Sequence, residues 1–476
     1  MELVPKIYGE NIMYNYLSKN KMKFISGDCG SGKTHSLVQQ ILRTPDNYIV
    51  VQGTLHLTQQ TAQDLGSVAR LITSATSKNV HEDMIEFLLN PTHRVLIITD
   101  IAFLKIRDMT LLKKWKIYLD DVVSFHHFAT PNTNQKSLIE NELFHSFEPV
   151  SDNHVTAKPV TDFDDVVLEN AAKAFAFVQQ YDHFLFNSRF FEKVGGTNEY
   201  KQEKDQLQVM SWVNLKRFMG LDITFMANDF ENTLVYLSSP ESFERTTLPL
   251  RQRTVPLNQR MRVHYFSDVP LTASLRSNSP EQFEKVLTWV RNNLTDYIFT
   301  VNSDQSEKVL NGKYVPPKSR GINDYKKYTK AVWLSSLKPS NVEVKQCELM
   351  FGLTYEQIVH AREEEELYQF VQRTKLRDYK SDEVVDIYVF DKDQALSLSD
   401  TPIFIDLAIE VTNSAKPVST FVPLNLSTSQ GKAYQRITIE KFPSIESFNK
   451  WMNKKAQLVL NEQQRAHFVS KYNSLL

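Results

Sequence analysis

The chain has 476 residues, 41% hydrophobic and 23% charged, a make-up that excludes fibrous, low-complexity and intrinsically disordered classes and leaves length for roughly two to four domain cores. Fifty-five Lys and Arg stand against fifty-six Asp and Glu, a formal net charge of −1. Global charge therefore neither favours nor excludes polynucleotide, and any nucleic-acid site has to be a local groove. Cys29 and Cys347 are too few for a disulfide framework, which points to a reducing, cytosolic compartment. Glu2, Lys6 and Glu10 leave no signal-peptide core at the N-terminus. The most apolar run, Val95 to Leu104, is broken by Thr99 and Asp100 and is too short to span a bilayer. A cytoplasmic protein without a membrane partner is expected.

Met22 to Ser26 reads as a short buried strand, and it leads into Gly27-Asp28-Cys29-Gly30-Ser31-Gly32-Lys33-Thr34. Three of the thirteen glycines fall within these six positions from Gly27 to Gly32. The pattern G-x-x-x-x-G-K-[ST] lets backbone amides curl around phosphates, sets the Lys33 ammonium on the β- and γ-phosphates and offers the Thr34 hydroxyl to Mg²⁺. Gly27, Gly30, Ser31, Gly32, Lys33 and Thr34 are thus candidate nucleotide ligands, with ATP and Mg²⁺ the expected cofactors. Leu37, Val38, Ile41 and Leu42 recur at helical spacing through Arg43, Thr44-Pro45 stops the helix, and Tyr48 to Gln52 follows as a second strand. This is a βαβ unit.

After a polar loop and a helix through Leu65, strands are predicted at Leu71-Ile72, Arg94 to Thr99 and Trp115 to Leu119, with a helix from His81 to Leu89. Such alternation predicts a mostly parallel sheet with helices on both faces. Residues 125 to about 225 break the rhythm, and two helix-like stretches, Phe163 to Phe186 and Glu203 to Met219, predict a mostly helical insertion. Leu234 to Pro240 returns to a strand pattern, and the Arg-rich stretch Glu244 to Arg260 is the candidate linker. A second α/β series runs through Met261 to Phe266, a helix from Pro280 to Asn293, strands at Tyr297 to Val301 and Ala331 to Leu334, a helix from Thr354 to Val371, and Val384 to Phe390. Shorter strands and a final amphipathic helix occupy about 400 to 476. The expected domains are 1–245, 246–400 and 401–476.

A phosphate loop needs a strand-end carboxylate to hold Mg²⁺ and a base to orient the attacking water. Lys116-Ile117-Tyr118-Leu119-Asp120-Asp121 supplies both, Asp120 for the metal together with Thr34, and Asp121 for the water. Gln369 to Asp378 carries Arg373, Lys375 and Arg377, positive charge of the kind that stabilises a departing γ-phosphate. His126 and His127 follow the acidic pair and could couple the cleft to nucleic acid, but no cysteines lie near enough for zinc. Toward the C-terminus Lys432, Tyr434, Arg436, Lys441, Phe442, Trp451, Lys454 and Lys455 suit either a strand-binding surface or an aromatic core with solvated lysines.

From about residue 22 to 390 the chain resembles a superfamily 2 helicase. Gly27 to Thr34 matches motif I and Leu119-Asp120-Asp121-Val122 matches motif II, with Asp121 where the family usually has Glu, one methylene longer. Gln52-Gly53-Thr54 with Gln59 is similar to motif Ia, and Ile97 to Leu104 to the next strand-end motif; the resemblance implies that Thr54 and Thr99 touch nucleic-acid phosphates. Leu237-Ser238-Ser239-Pro240 is similar to motif III, Phe299 to Ser303 stands where motif IV would be, and Ser319-Arg320-Gly321-Ile322-Asn323 resembles motif V. The last implies that Gly321 faces nucleotide and Asn323 nucleic acid. In motif VI the family spaces its arginines by three, whereas Arg373 and Arg377 are four apart, so either could be the arginine finger and an i, i+4 helix face would bring both to the cleft. No glutamine precedes the phosphate loop to select adenine.

The resemblance implies an α/β fold of two RecA-like parallel-sheet domains in tandem, with a mostly helical insertion in the first and a small C-terminal α+β region. It implies an ATP-dependent DNA helicase or translocase, most like phage or plasmid replication and recombination proteins, in the host cytoplasm if phage-encoded, with RNA as the alternative strand. Two rivals stay open: an ATP-switched DNA-binding or remodelling factor that never unwinds, and a P-loop kinase.

Overall fold

The computed structural model describes residues 21–122, 124–130, 143–151, 154–160, 180–187, 207–317 and 324–409, and, toward the C-terminus, 437, 442, 444–454, 465, 468–469 and 471–472. The chain separates into two compact units, Met1–Glu410 and Val411–Leu476.

In the first unit β1 (Met22–Ser26), β2 (Tyr48–Gln52), β3 (Ala69–Leu71), β4 (Val95–Thr99) and β5 (Lys116–Asp120) alternate with α1 (Lys33–Arg43), α2 (Leu55–Leu65) and α3 (Val80–Leu89). The chain then leaves this sheet through β6 (His126–Ala129), β7 (Phe144–Ser151), β8 (His154–Pro159), β9 (His183–Asn187) and β10 (Val209–Trp212), and returns through β11 (Asp222–Ala227) and β12 (Phe243–Arg245). The resulting seven-stranded sheet has the order β12-β1-β11-β5-β2-β4-β3. Every pair in it is parallel. Side-chain alternation distributes each strand over two cores. Ile25, Tyr48, Val50, Ile97 and Met226 pack under Leu37, Val38 and Ile41 of α1, while Phe24, Ile49, Val51, Leu96, Ile98 and Phe225 face the other core.

The insertion differs from expectation among its described residues: β6 to β10 form a five-stranded antiparallel sheet, ordered β6-β10-β9-β8-β7. Within the predicted helix Phe163 to Phe186, residues 163–179 lie outside the described ones, and the remainder ends in β9. Of Glu203 to Met219, residues 203–206 lie outside the described ones, and the rest contains β10 and a 3₁₀ turn at Leu215–Phe218 rather than a helix. The reason is visible in β9, where Phe184 and Phe186 enter the large core and Leu185 enters a second cluster with Met210 and Cys347. An apolar run buried on both faces carries no polar alternation to separate strand from helix. β11, with Ile223 and Phe225 on one side and Met226 on the other, went unrecognised for the same reason. Leu234–Leu237, read as a strand, is a helical turn capped by the Thr233 hydroxyl.

The second sheet uses β13 (Met261–Ser267), β14 (Ile298–Val301), β15 (Lys313–Tyr314), β16 (Lys330–Leu334), β17 (Val385–Asp391) and β18 (Ile403–Phe404). It is parallel throughout, in the order β15-β14-β16-β17-β13-β18. α4 (Pro280–Asn293) packs on it through Phe283 and Trp289, while α5 (Asn341–Phe351) packs through Cys347 on Leu185 and Met210 of the insertion sheet. α6 (Tyr355–Val359) continues through a π-helical turn, His360–Glu364, into α7 (Glu365–Val371). The architecture is thus two RecA-like parallel-sheet domains in tandem.

In the second unit Phe442, Phe448, Phe468 and Tyr472 form a small core, with Trp451 packed on Phe442 at 4.8 Å between ring centroids. Phe442 and Trp451 are therefore core aromatics. Among the described residues no helix is long and apolar enough to cross a membrane.

Candidate nucleotide site

The phosphate loop is set by β1, whose successor Gly27 donates its amide to the Ala227 carbonyl of β11 at 3.0 Å. Gly30 and Gly32 have φ of 77° and 88°, the left-handed region that a side chain disfavours. Gly32 then stands at the N-terminus of α1 and directs its first amides at the loop. The Lys33 ammonium donates to the Gly27 carbonyl at 2.6 Å and the Asp28 carbonyl at 3.2 Å.

Asp120 ends β5 two strands away, and a single oxygen of it, Oδ2, accepts from the Thr34 hydroxyl at 2.7 Å and from Gln52 Nε2 at 2.9 Å. Gln52, fully buried at the end of β2, also donates to the Thr61 hydroxyl of α2 at 3.0 Å. Burial first, and the neighbouring Asp121 charge second, push the Asp120 carboxyl up to about 6, against the lowering effect of its two donors and Lys33. Asp121 follows with φ of 57°. That turn takes its side chain out of the strand, and its Oδ1 is buried without a hydrogen-bond partner among the described residues, as is the Ser31 hydroxyl. Two hard oxygens beside an α-helix N-terminus and a lysine fit Mg²⁺ and a triphosphate. Desolvation raises the buried Cys29 thiol far above its ordinary range, so this residue is inert as a nucleophile.

One cavity of about 280 Å³ joins these groups, and the second sheet domain supplies its opposite wall through Lys326, Gln369, Arg373 and Arg377. Both arginines reach it, though not along one helical face. α7 ends at Val371; Arg373 sits beyond it, 1% exposed, and Arg377 lies in the 3₁₀ turn Lys375–Arg377. A Cβ built on Gly30 would lie 3.1 Å from Arg377 Cγ, so glycine is what permits this close approach. Gly321 and Asn323, with the rest of 319–323, lie outside the described residues.

The Arg-rich connector is part of the site, a role its composition did not reveal. Arg251 donates its amide to the Ser31 carbonyl at 2.8 Å and its side chain lines the cavity. Arg253 Nε donates to Asp28 Oδ2 at 2.8 Å, and a terminal nitrogen donates to Gln372 Oε1 at 2.8 Å. Arg253 also reaches the Leu376 carbonyl, and its guanidinium lies 4.0 Å from the Tyr379 ring centroid. Tyr368 and Tyr379 donate their hydroxyls to Asp28 at 2.6 and 3.1 Å. A non-glycine position of the phosphate loop is thereby tied to the second sheet domain.

A second bridge starts from β11, which stands between β1 and β5. Asn228 donates to Glu365 Oε2 at 2.8 Å, Gln369 donates to Glu365 Oε1 at 2.8 Å, and Arg373 reaches Gln369 at 3.5 Å. Beside it His360, in the π-helical turn, holds Asp229 at 2.8 Å and Glu364 at 2.7 Å. Those two carboxylates raise the imidazole to about 10. Leu237 to Pro240, where the motif III resemblance falls, lies at the end of a helical turn rather than of a strand; the strand between β1 and β5 is β11, and its end at Asn228 and Asp229 makes the bridging contacts.

Thr54 and Thr99 cap helices, accepting from the Leu57 amide at 3.3 Å and the Ala102 amide at 3.4 Å. Their neighbours Gly53 and Asp100 line a second cavity, of about 490 Å³, which also includes His126 and His127.

No protein-family model and no curated protein matches the chain. The chain is similar to solved helicase structures. An XPD helicase aligns at 12% identity over 83% of this chain and 98% of its own, with a TM-score of 0.46. S. cerevisiae Dbp5 bound to RNA and ADP BeF3 aligns at 9% identity over 81% of this chain and 86% of its own, with a TM-score of 0.39. An arterivirus nonstructural protein 10 helicase complexed with DNA aligns at 10% identity over 81% and 64%, with a TM-score of 0.32.

Proposed function

We propose that the chain is a nucleic-acid-dependent ATPase, a helicase or translocase that works between two RecA-like domains, 1–245 and 246–400, with 401–476 accessory. DNA is the favoured strand and phage or plasmid replication or recombination the favoured setting. The observation that carries the reading is the shared cavity: Lys33, Thr34, Asp120 and Asp121 come from one sheet domain, Arg373 and Arg377 from the other.

When bound, MgATP supplies the transferable phosphoryl group. Thr34 and Asp120 would hold the metal, Lys33 would exchange loop carbonyls for phosphate oxygens, and Asp121 would accept a hydrogen bond from the attacking water. Arg373 and Arg377 stabilise charge as it develops, which couples the chemistry to the apposition of the domains. Asn228, Glu365 and Gln369 link the arginine-bearing segment to the strand ends where Thr54 and Thr99 would meet a backbone. The apposition would then depend on what Arg373 and Arg377 meet in the cleft, and a bound strand would be advanced as the domains part.

The test is the ATPase rate with single-stranded DNA, duplex, forked DNA and RNA, together with strand displacement, using Lys33→Ala as the control. Strand-stimulated hydrolysis with displacement, both lost in Lys33→Ala, is the expected result. Hydrolysis without displacement favours the ATP switch, and phosphoryl transfer to a small acceptor without strand stimulation favours the kinase.

A further inference from the structure

The second cavity lies where β2, β4 and β11 end and β6 begins, and its lining mixes two chemistries. Part of it is aromatic: His126, His127, Phe128 and Tyr181. Phe128 carries the Arg362 guanidinium 5.1 Å from its ring centroid, and His127 meets the Tyr181 ring at 5.7 Å. Part is acidic: Asp100, which lies near Tyr181, and Asp229, Glu365 and Glu366. Asp229 is engaged by His360 and Glu365 by Asn228 and Gln369. Asp100 takes the Ile101 amide at 2.8 Å, and burial raises its carboxyl.

Charge decides what can enter. Two cations line the cavity among the described residues, and both are held by carboxylates: Arg362 by Glu343 at 2.7 Å, and the charged His360 by Asp229 at 2.8 Å and Glu364 at 2.7 Å. A phosphate inside would therefore face carboxylates, whereas a flat heterocycle gains aromatic contact and finds hydrogen-bond acceptors. His126 adds a second, independent sign. Among the described residues both of its ring nitrogens are shut off from solvent and have no hydrogen-bond partner, and the Phe351 ring stands edge-on at 5.2 Å. Burial holds this imidazole neutral, down to about 3, so it offers one donor and one acceptor. A buried polar group without a partner is costly unless a ligand supplies one.

We propose that this cavity takes an unpaired nucleobase bearing an exocyclic amino group, turned out of a strand whose phosphates stay outside over the ends of β2 and β4. The inference rests on the nucleic-acid reading above and adds a base-specific site to it. The amino group donates to Asp100, the His126 ring completes the base edge, and Phe128 and Tyr181 supply stacking surface. Thymine and uracil lack that amine.

The experiment compares the affinities of oligo(dC) and oligo(dT) of equal length, by fluorescence anisotropy at one salt concentration, since both are pyrimidines and differ at the exocyclic group. The full chain is expected to bind oligo(dC) about tenfold tighter than oligo(dT). That ratio should fall toward one in His126→Ala, with Asp100→Ala as a second variant and thermal unfolding to establish that each is folded. Equal affinities in the unaltered chain, or a ratio unchanged in both variants, overturn the pocket while strand-stimulated ATPase persists. Failure to bind either strand removes the nucleic-acid reading and the pocket together.

Discussion

Arg253→Ala probes the tie between the phosphate loop and the second sheet domain. The Arg253 side chain is 10% exposed and that of Asp28 30%, so the pair lies between a buried ion pair and a surface one. Breaking a buried pair costs about 3–5 kcal/mol and a surface pair less than about 1. An intermediate cost of about 2 kcal/mol follows, which also covers the donations to Gln372 and the stacking on Tyr379. Because these groups join the two domains, the loss falls on their apposition, shifting that equilibrium roughly 30-fold toward separation. Steady-state ATPase with saturating strand should show kcat/KM lowered by about that factor, with a smaller loss in Arg253→Lys, which keeps the charge but not the planar fork. Urea unfolding of the same variants establishes that each sheet domain is intact. An unchanged kcat/KM in Arg253→Ala would refute the reasoning, because no other cation contacts the Asp28 carboxylate among the hydrogen bonds and ion pairs described.

Asp120→Asn should unfold at higher urea than the unaltered chain at pH 8 yet lack ATPase. A carboxyl raised in the folded state loses stability as pH climbs from its unfolded value toward about 6, and the amide oxygen can still accept from Thr34 and Gln52; the urea difference should close near pH 4. His360 is raised to about 10, so its contribution is complete below pH 6.5 and lost as pH rises through 10. Urea midpoints measured from pH 6 to 10 should fall more steeply for the unaltered chain than for His360→Gln, by a modest amount since the imidazole is 38% exposed. A double-mutant cycle of Asn228→Ala with Glu365→Gln, read in strand-stimulated kcat, should show a coupling of about 1 kcal/mol. Additive losses would sever the proposed link between β11 and the arginines.

The sequence by itself determined the local chemistry. Gly27 to Thr34 needs only its own backbone geometry and the strand before it, and the predicted β1, α1 and β2 match the observed elements closely. Asp120-Asp121 was legible because a strand ending in two acids after a phosphate loop has few uses, and Arg373 and Arg377 because cations near the end of a helix stand out. The insertion and β11 were not legible, since strands buried on both faces show no period that tells them from a helix. Tertiary structure alone decided which distant residues share the cavity. Gln52 became the clamp on Asp120, Asp28 became a tie to Arg253, Tyr368 and Tyr379, and the connector became a wall of the site. Each of these contacts joins residues far apart in the chain, and their spacing is set by sheet order and domain apposition rather than by local pattern.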